Sequence, residues 1–352
     1  MAYTTIDDPS AYFQTALYTG NNSNRSITND GNSDLQPDWI WGKSRSNADA
    51  HTSTDSSRGN TKVLTPNATE AEGTASDYVT AFDSDGFSLG TNNGMNKNTL
   101  TYVAWQWKAN GGTTSTNTSG TNIDSTVQAN TTAGFSIITY TGTGTDNDSI
   151  GHGLGAVPAW FIIKRRSGTE DWAVYHHKNT SAPETDHLLL NTQDATSDSD
   201  TRFSDQAPSS TVITLGNNAV VNANSSTYVC YAFAEIQGYS KFGVYTGNGN
   251  ADGPFVYTGF KPAFFIVKRT DASGENFVLR DNAVSPINPV NAYVVANDNR
   301  AEANHYAVDL LSNGFKVRTS ESGHNHNGGT YIYMAWAESP FVSSEGVPTT
   351  AR

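Results

Sequence analysis

The sequence predicts an all-β fold built from three tandem β-sandwich or jelly-roll-like repeat domains, and three observations lead there. Aromatic side chains are plentiful, with 16 Tyr, 15 Phe and 7 Trp, while only 16% of residues are charged and Ser, Thr, Asn and Gly fill much of the rest. Aromatic and β-branched side chains pack well on pleated surfaces, and Gly and Asn accept turn conformations, so long helices are not expected. Apolar residues fall in short runs bounded by Gly, Asn, Asp and Pro, which is the pattern of sandwich strands. Finally, 352 residues exceed what one hydrophobic core usually organises, and the chain is internally repetitive.

Three marks recur in one order. The first is a strand ending in Tyr-Thr-Gly, at Tyr18, Tyr140 and Tyr245. The second is a proline (Pro37, Pro158, Pro262) leading into an aromatic strand that ends in basic residues, Lys43, Lys164-Arg165-Arg166 and Lys268-Arg269. The third is a closing strand beginning at Thr101, Thr227 and Thr330. The proline follows the tyrosine by 19, 18 and 17 positions, and the closing threonine follows the proline by 64, 69 and 68, so the spacing is nearly constant. These marks divide the chain into repeat domains 1–112, 134–237 and 238–341, a Gly/Ser/Thr-rich segment 113–133, and a tail 342–352. The segment 113–133 reads as a flexible linker or extended arm. Almost nothing separates the second and third repeats, so these should be rigidly docked and the first separately placed. Proline at a strand entrance removes no central ladder bond. The basic strand ends read as gatekeepers against edge aggregation in preference to a binding face.

The net charge of -13 argues against a nucleic-acid partner, which requires clustered basic side chains. The single cysteine, Cys230, cannot close an intramolecular disulfide and reads as a buried strand residue. No secretory signal is expected at the N-terminus, and no apolar run reaches the roughly 20 residues needed to span a bilayer. Polar loops and Asn-x-Ser/Thr sequons nonetheless look outward-facing. A particle assembled in the cytoplasm and released by lysis reconciles the two.

The stretches Met1-Ala2-Tyr3-Thr4-Thr5-Ile6-Asp7-Asp8-Pro9, Leu35-Gln36-Pro37-Asp38-Trp39-Ile40-Trp41, Tyr102-Val103-Ala104-Trp105-Gln106-Trp107-Lys108 and Ile150-Gly151-His152-Gly153-Leu154-Gly155-Ala156-Val157-Pro158 resemble those of tail-fibre-like virion proteins of tailed bacteriophages, especially marine ones. The resemblance runs along nearly the whole chain. It implies a structural or host-contacting component of the virion and brings no catalytic or ligand residues with it.

Several residues invite chemical readings. Gly86-Phe87-Ser88-Leu89-Gly90 matches the nucleophile elbow of serine hydrolases, but Thr91-Asn92-Asn93-Gly94 cannot continue it as the required helix, and the third repeat has Lys316 at the equivalent of Ser88. His324 and His326 form an H-x-H pair whose imidazoles would share one face if extended, and in a trimeric fibre such pairs can supply metal ligands; a hairpin tip is the competing reading. Asp146, Asp148, Asp198 and Asp200 offer oxygen ligands but sit in turn-like sequence without a calcium-loop spacing. Trp39/Trp41 and Trp105/Trp107 lie two apart, so each pair shares one face of its strand; outside a sheet they would form a platform for sugars, and inside it they are core, the reading the other repeats favour.

The sequence therefore predicts a non-enzymatic virion structural protein, tail or tail-fibre associated, that contributes to assembly or host-surface attachment and needs no cofactor. Its expected partners are other virion proteins, further copies of itself as a homotrimer, and a host-surface glycan or receptor. A capsid decoration or head-fibre protein is the alternative. A glycan-degrading enzyme is the third reading, and would require a carboxylate pair in a groove.

Overall fold

The computed structural model describes residues 2–350 and is nearly all β. In the first repeat the opening strand Phe13–Thr19 pairs with the closing strand Thr101–Trp107, which pairs on its other side with the proline-led strand Trp39–Ser44, followed by Thr52–Asp55, all antiparallel. The same order recurs as Phe135–Thr141, Thr227–Phe233, Trp160–Arg165 and Trp172–His176 in the second repeat. In the third it is Ser240–Thr246, Thr330–Pro340, Phe260–Arg269 and Val278–Asp281. Each main sheet is faced by a short antiparallel group, built on Arg25–Ile27 with Gly86–Leu89, Asp148–Gly151 with Val212–Leu215, and Phe255–Tyr257 with Gly314–Val317. In the first repeat Tyr18, Ile40, Phe87, Leu89 and Tyr102 fill the space between the two layers. Each repeat has such a core of its own.

The opposite faces of the three main sheets are buried as well, against one another. A single aromatic core takes Phe13, Trp39, Trp41, Trp105 and Trp107 from the first repeat, Phe135, Trp160, Tyr231 and Phe233 from the second, and Phe242, Phe264 and Trp336 from the third. One ring from each closing strand meets at its centre: the centroids of Trp107, Phe233 and Trp336 are 6.3, 5.4 and 5.2 Å apart. Register explains the coincidence, because Trp107 pairs with Trp39, Phe233 with Trp160 and Trp336 with Phe264 across equivalent ladders. Sheets covered on both faces also account for the near-continuous apolar strands in the sequence, which one-sided sheets do not need.

The repeats dock head to tail and the circle closes. The loop after Lys62–Val63, Asp186–Leu189 or Val290–Val295 lies against the basic strand end of the next repeat, making the same backbone bond three times: Glu72 N–H to Arg166 C=O at 2.9 Å, Thr196 to Thr270 at 2.9 Å and Glu302 to Arg45 at 2.8 Å. Each loop is anchored inside its own repeat by an asparagine side chain, Asn67, Asn191 or Asn297, that accepts from the backbone of His51, Trp172 or Phe277. Two junctions add a bidentate pair, Arg166 with Glu72 and Arg45 with Glu302. Repeated heterologous contacts whose rotation closes give a ring, here inside one chain. The first repeat is thus docked as firmly as the others, where the sequence suggested separate placement; the intervening polar tract hid the contact.

The first junction also encloses a charge. Arg58 and Asp55 have fully buried side chains 2.5 Å apart, and the Tyr231 hydroxyl of the second repeat donates to Asp55 at 2.7 Å. Removing Asp55 leaves the buried Arg58 with Glu72 at 3.0 Å as its acidic partner and takes the acceptor from the Tyr231 hydroxyl, so the buried pair is broken and only partly compensated. Asp55→Ala is expected to cost about 3 kcal/mol, read as a lower denaturant midpoint with unchanged slope.

The Tyr-Thr-Gly mark has a structural reason. Its tyrosine stacks on the closing-strand tyrosine in every repeat, with Tyr18–Tyr102, Tyr140–Tyr228 and Tyr245–Tyr331 centroids at 5.2, 5.0 and 4.9 Å. Both hydroxyls bond the backbone of a one-turn helix, Asn93–Asn96, Ala219–Asn222 or Ser322–Asn325. The last residue of each turn, Asn96, Asn222 or Asn325, is wholly buried and accepts from the backbone N–H three residues after the stacking tyrosine. The glycine lets the opening strand pass over this turn.

Two further expectations are corrected by the structure. Residues 113–133 carry strands Ser115–Asn117 and Ser125–Asn130, which extend the main sheet of the second repeat beside Phe135–Thr141. Alternation of buried and exposed residues through Ser125, Thr126 and Val127 outweighs the Ser/Thr-rich composition. Lys43, Lys164 and Lys268 are wholly buried instead of guarding strand ends. Their ammonium groups cap carbonyls, Ser44 and Asn47, Thr69 and Arg165, and Glu275 respectively. Burial lowers all three to about 8.

Candidate functional site

Most residues with chemical promise are committed to the fold. Trp39, Trp41, Trp105 and Trp107 lie in the central core, as the core reading expected. Cys230 is wholly buried in the closing strand of the second repeat, and burial pushes its thiol up. Ser88 lies mid-strand, paired with Ser26 on one side and Ala81 on the other, and its hydroxyl is shared with Ser26 (2.8 Å) and Asp83 (2.7 Å). A strand interior is not an elbow.

His324 and His326 do not converge. The segment is helical, so His324 points into the third repeat with no exposed surface while His326 follows the turn and faces solvent. Anchoring of the intervening Asn325 fixes this geometry, as it does in the other repeats. His324 Nε2 accepts from Arg280 Nη1 at 2.6 Å, and its ring stacks on Tyr306 at 4.8 Å. Arg280 is itself buried; its remaining bonds run to the His305 and Tyr306 carbonyls, and burial lowers it to about 10. Asp148 accepts from Asn122 and Thr143, and Asp146 from Asn147 and Ser204, so this acidic turn is tied to neighbouring loops. Among the described residues no group of three His, Cys, Asp or Glu side chains is placed to hold a metal ion.

One face is different. The short strand beside the main sheet is covered in the second repeat, where Asn122 bridges Ser149 and the Asn122 amide reaches Asp148. Its counterpart in the third repeat, Phe255–Tyr257, leaves Phe255 46% and Tyr257 53% exposed around a buried Val256. Tyr257 borders a cleft of about 390 Å³ whose other walls include Tyr3, Glu235, Gln237, Lys241 and Thr258. The Tyr3 hydroxyl donates to the Gly259 carbonyl at 2.7 Å and lies 3.1 Å from the Tyr257 hydroxyl, pairing the two phenols at the rim. Gly259 has φ +85°, and a Cβ there would come within 2.8 Å of the Tyr3 oxygen, so the approach depends on glycine. Opposite, Glu235 binds Lys241 at 2.9 Å and accepts from the Phe242 backbone, which holds acid and base together as a neutral wall.

A second cleft of about 220 Å³, between the first and third repeats, is lined by Ser10, Gln14, Asp30, Asn32, Asn282 and Glu338. Its polar groups are largely engaged: Gln14 with Ser10, Gly31 and Ser33, and Glu338 with Lys261 and Asn282. The sequence reading passed over Phe255-Val256-Tyr257. Aromatic residues two apart around a β-branched residue are the same signal that singled out the tryptophan pairs, here on an outer strand.

One family description, "Domain of unknown function (DUF7483)", matches residues 8–340. The chain belongs to that family. The match begins before the first opening strand and ends with the last closing strand, so the family's unit contains all three repeats and the closed ring they form. No curated protein and no solved structure matches the chain significantly.

Proposed function

We propose that this member of the family is a non-enzymatic structural protein of a tailed-phage particle, associated with the tail or tail fibre and contributing to assembly or host-surface contact. The observation that carries the proposal is the contrast between a body closed on itself and one uncovered aromatic strand, Phe255–Tyr257, beside a polar cleft. Among the described residues the exposed large aromatic side chains, Phe255 and Tyr257, lie on this strand, and a rigid body with such a face suits a part that is mounted on a particle and presents a surface. The candidate nucleophile and imidazoles support the same reading, since their hydrogen bonds serve strand and loop geometry. A homotrimer stays the proposed assembly, because the ring of repeats packs the faces of the sheets while the sheets themselves keep edge strands that further copies can cover.

The test is location. Purified particles probed with antibody-gold label and imaged as a density map should carry the protein on the tail, and the map also counts copies per site. Density on the head shell would replace the tail by the decoration alternative. Particles lacking the protein would overturn the proposal.

A further inference from the structure

We propose that the cleft between Tyr3 and Tyr257 is a saccharide site for two uncharged hexopyranose units, an inference that rests on the attachment reading and names its ligand class. Three features of the cleft converge on this chemistry. Its volume of about 390 Å³ lies in the range of small-ligand sites, about 300–1,000 Å³. A ligand gripped here must offer both an apolar face and a ring of hydroxyls. Tyr257 presents an exposed aromatic surface, while the paired Tyr3 and Tyr257 hydroxyls and the exposed Gln237 side chain provide polar groups along the walls. Pyranose rings have this amphipathic form, with C–H groups on one face and hydroxyls around the edge.

The electrostatics choose an uncharged sugar. Glu235 and Lys241 lie 2.9 Å apart and cancel in net charge, so this wall offers no surplus charge to favour a carboxylated or sulfated glycan. Rigidity favours the site as well. Tyr3 is fixed by Gly259 and stacks edge-on against Phe341 at 6.3 Å, and the neighbouring Thr4 hydroxyl donates to the Gln237 carbonyl at 2.9 Å, so the rim is set before a ligand arrives. The cleft forms where the outer strand of the third repeat meets Tyr3 and residues 235–241. The equivalent strand in the second repeat is covered by residues 121–122, and the first repeat has Ser26 and the buried Ile27 at the register positions of Phe255 and Val256, so no aromatic ring faces outward there.

Cellotriose and chitotriose are suitable neutral probes, with 3′-sialyllactose as the charged comparison, all offered to the full chain. Saturation-transfer NMR and titration calorimetry should detect one of the neutral trisaccharides with a dissociation constant on the order of 1 mM or tighter, and sialyllactose more weakly. Tyr257→Ala should weaken binding about tenfold through loss of the stacking ring, while Tyr257→Phe should retain most of it. Far-UV circular dichroism and thermal melting should be unchanged in both variants, because the Tyr257 side chain is mostly exposed. Absence of binding by both neutral probes, or binding undiminished in Tyr257→Ala, overturns the site. Self-association of the parent chain abolished by Tyr257→Ala would assign the face to a protein contact and overturn it too. A chain that binds sugar through Tyr257 but is missing from particles refutes the virion reading and leaves the cleft standing; tail-borne protein that binds neither neutral sugar refutes the cleft alone.

Discussion

Trp336→Ala is expected to destabilise all three repeats together, by about 4 kcal/mol, and to leave a single unfolding transition. The indole is wholly buried and lies within 6.5 Å of rings from every repeat: Trp107, Phe13, Phe233, Trp160, Phe242 and Phe264. Truncation removes its apolar contacts and opens a cavity at the one point where the three sheets meet, so no sheet can relax inward without moving the others. Calorimetry of parent and variant is the check. Independent domains would give separate transitions, with the third repeat shifted and the first two unmoved, and that outcome would show the shared core to be energetically minor.

Mild acid should be at least as damaging. Five buried histidines have lowered pKa values: burial holds His51 and His176 at about 3 and His187 at about 4, and it lowers His152 and, with Arg280 beside it, His324. Geometry enforces neutrality in four of them. One ring nitrogen accepts from a fixed donor: Trp41 Nε1 for His51, Leu154 N for His152, Lys178 N for His176 and Arg280 Nη1 for His324. The unfolded chain takes up protons near pH 6.5 where the folded chain does not, so stability falls as pH drops from about 6.5 towards 3. Asp281 opposes this, since burial raises it to about 6 and the folded carboxyl gains its proton first. Several imidazoles outweigh one carboxyl. The net loss between pH 6.5 and 4.5 is expected to be roughly 5 kcal/mol, visible as a steep fall in the urea midpoint. A midpoint flat across that interval would mean that these imidazoles find solvent in the folded state.

Strand content and the threefold repeat were legible because both are local properties, a period of apolar residues and a spacing between marks. Even the burial of Cys230 and the tryptophans could be read from their apolar surroundings. The ring was not legible. It depends on which loop meets which strand end, and the residues that join them, Glu72, Thr196 and Glu302, carry no common side chain because the shared contact is made by the backbone. The buried lysines misled for a related reason. A basic residue at a strand end belongs at the surface unless another repeat lies over it, and that cover comes from loops such as 65–72 that look unremarkable in sequence. His324 and His326 alternate like strand residues, but the helical turn dictated by Asn325 and Tyr331 separates them. The cleft was out of reach for the sequence because Tyr3 and Tyr257 are 254 residues apart.

The strap of residues 3–7 ends beside residues 341–344, where Asp7 binds Ser344 and Tyr3 packs on Phe341. Mechanically, a load carried by these two segments enters and leaves the body at neighbouring points. A pull applied between these two segments strains their mutual contacts and the bonds of Tyr3 and Thr4 to Gly259 and Gln237, which are few and lie at the rim of the cleft. The ladders of the three sheets lie outside that line of force. Tension would therefore reach the Tyr3 wall of the cleft long before it reached the aromatic core.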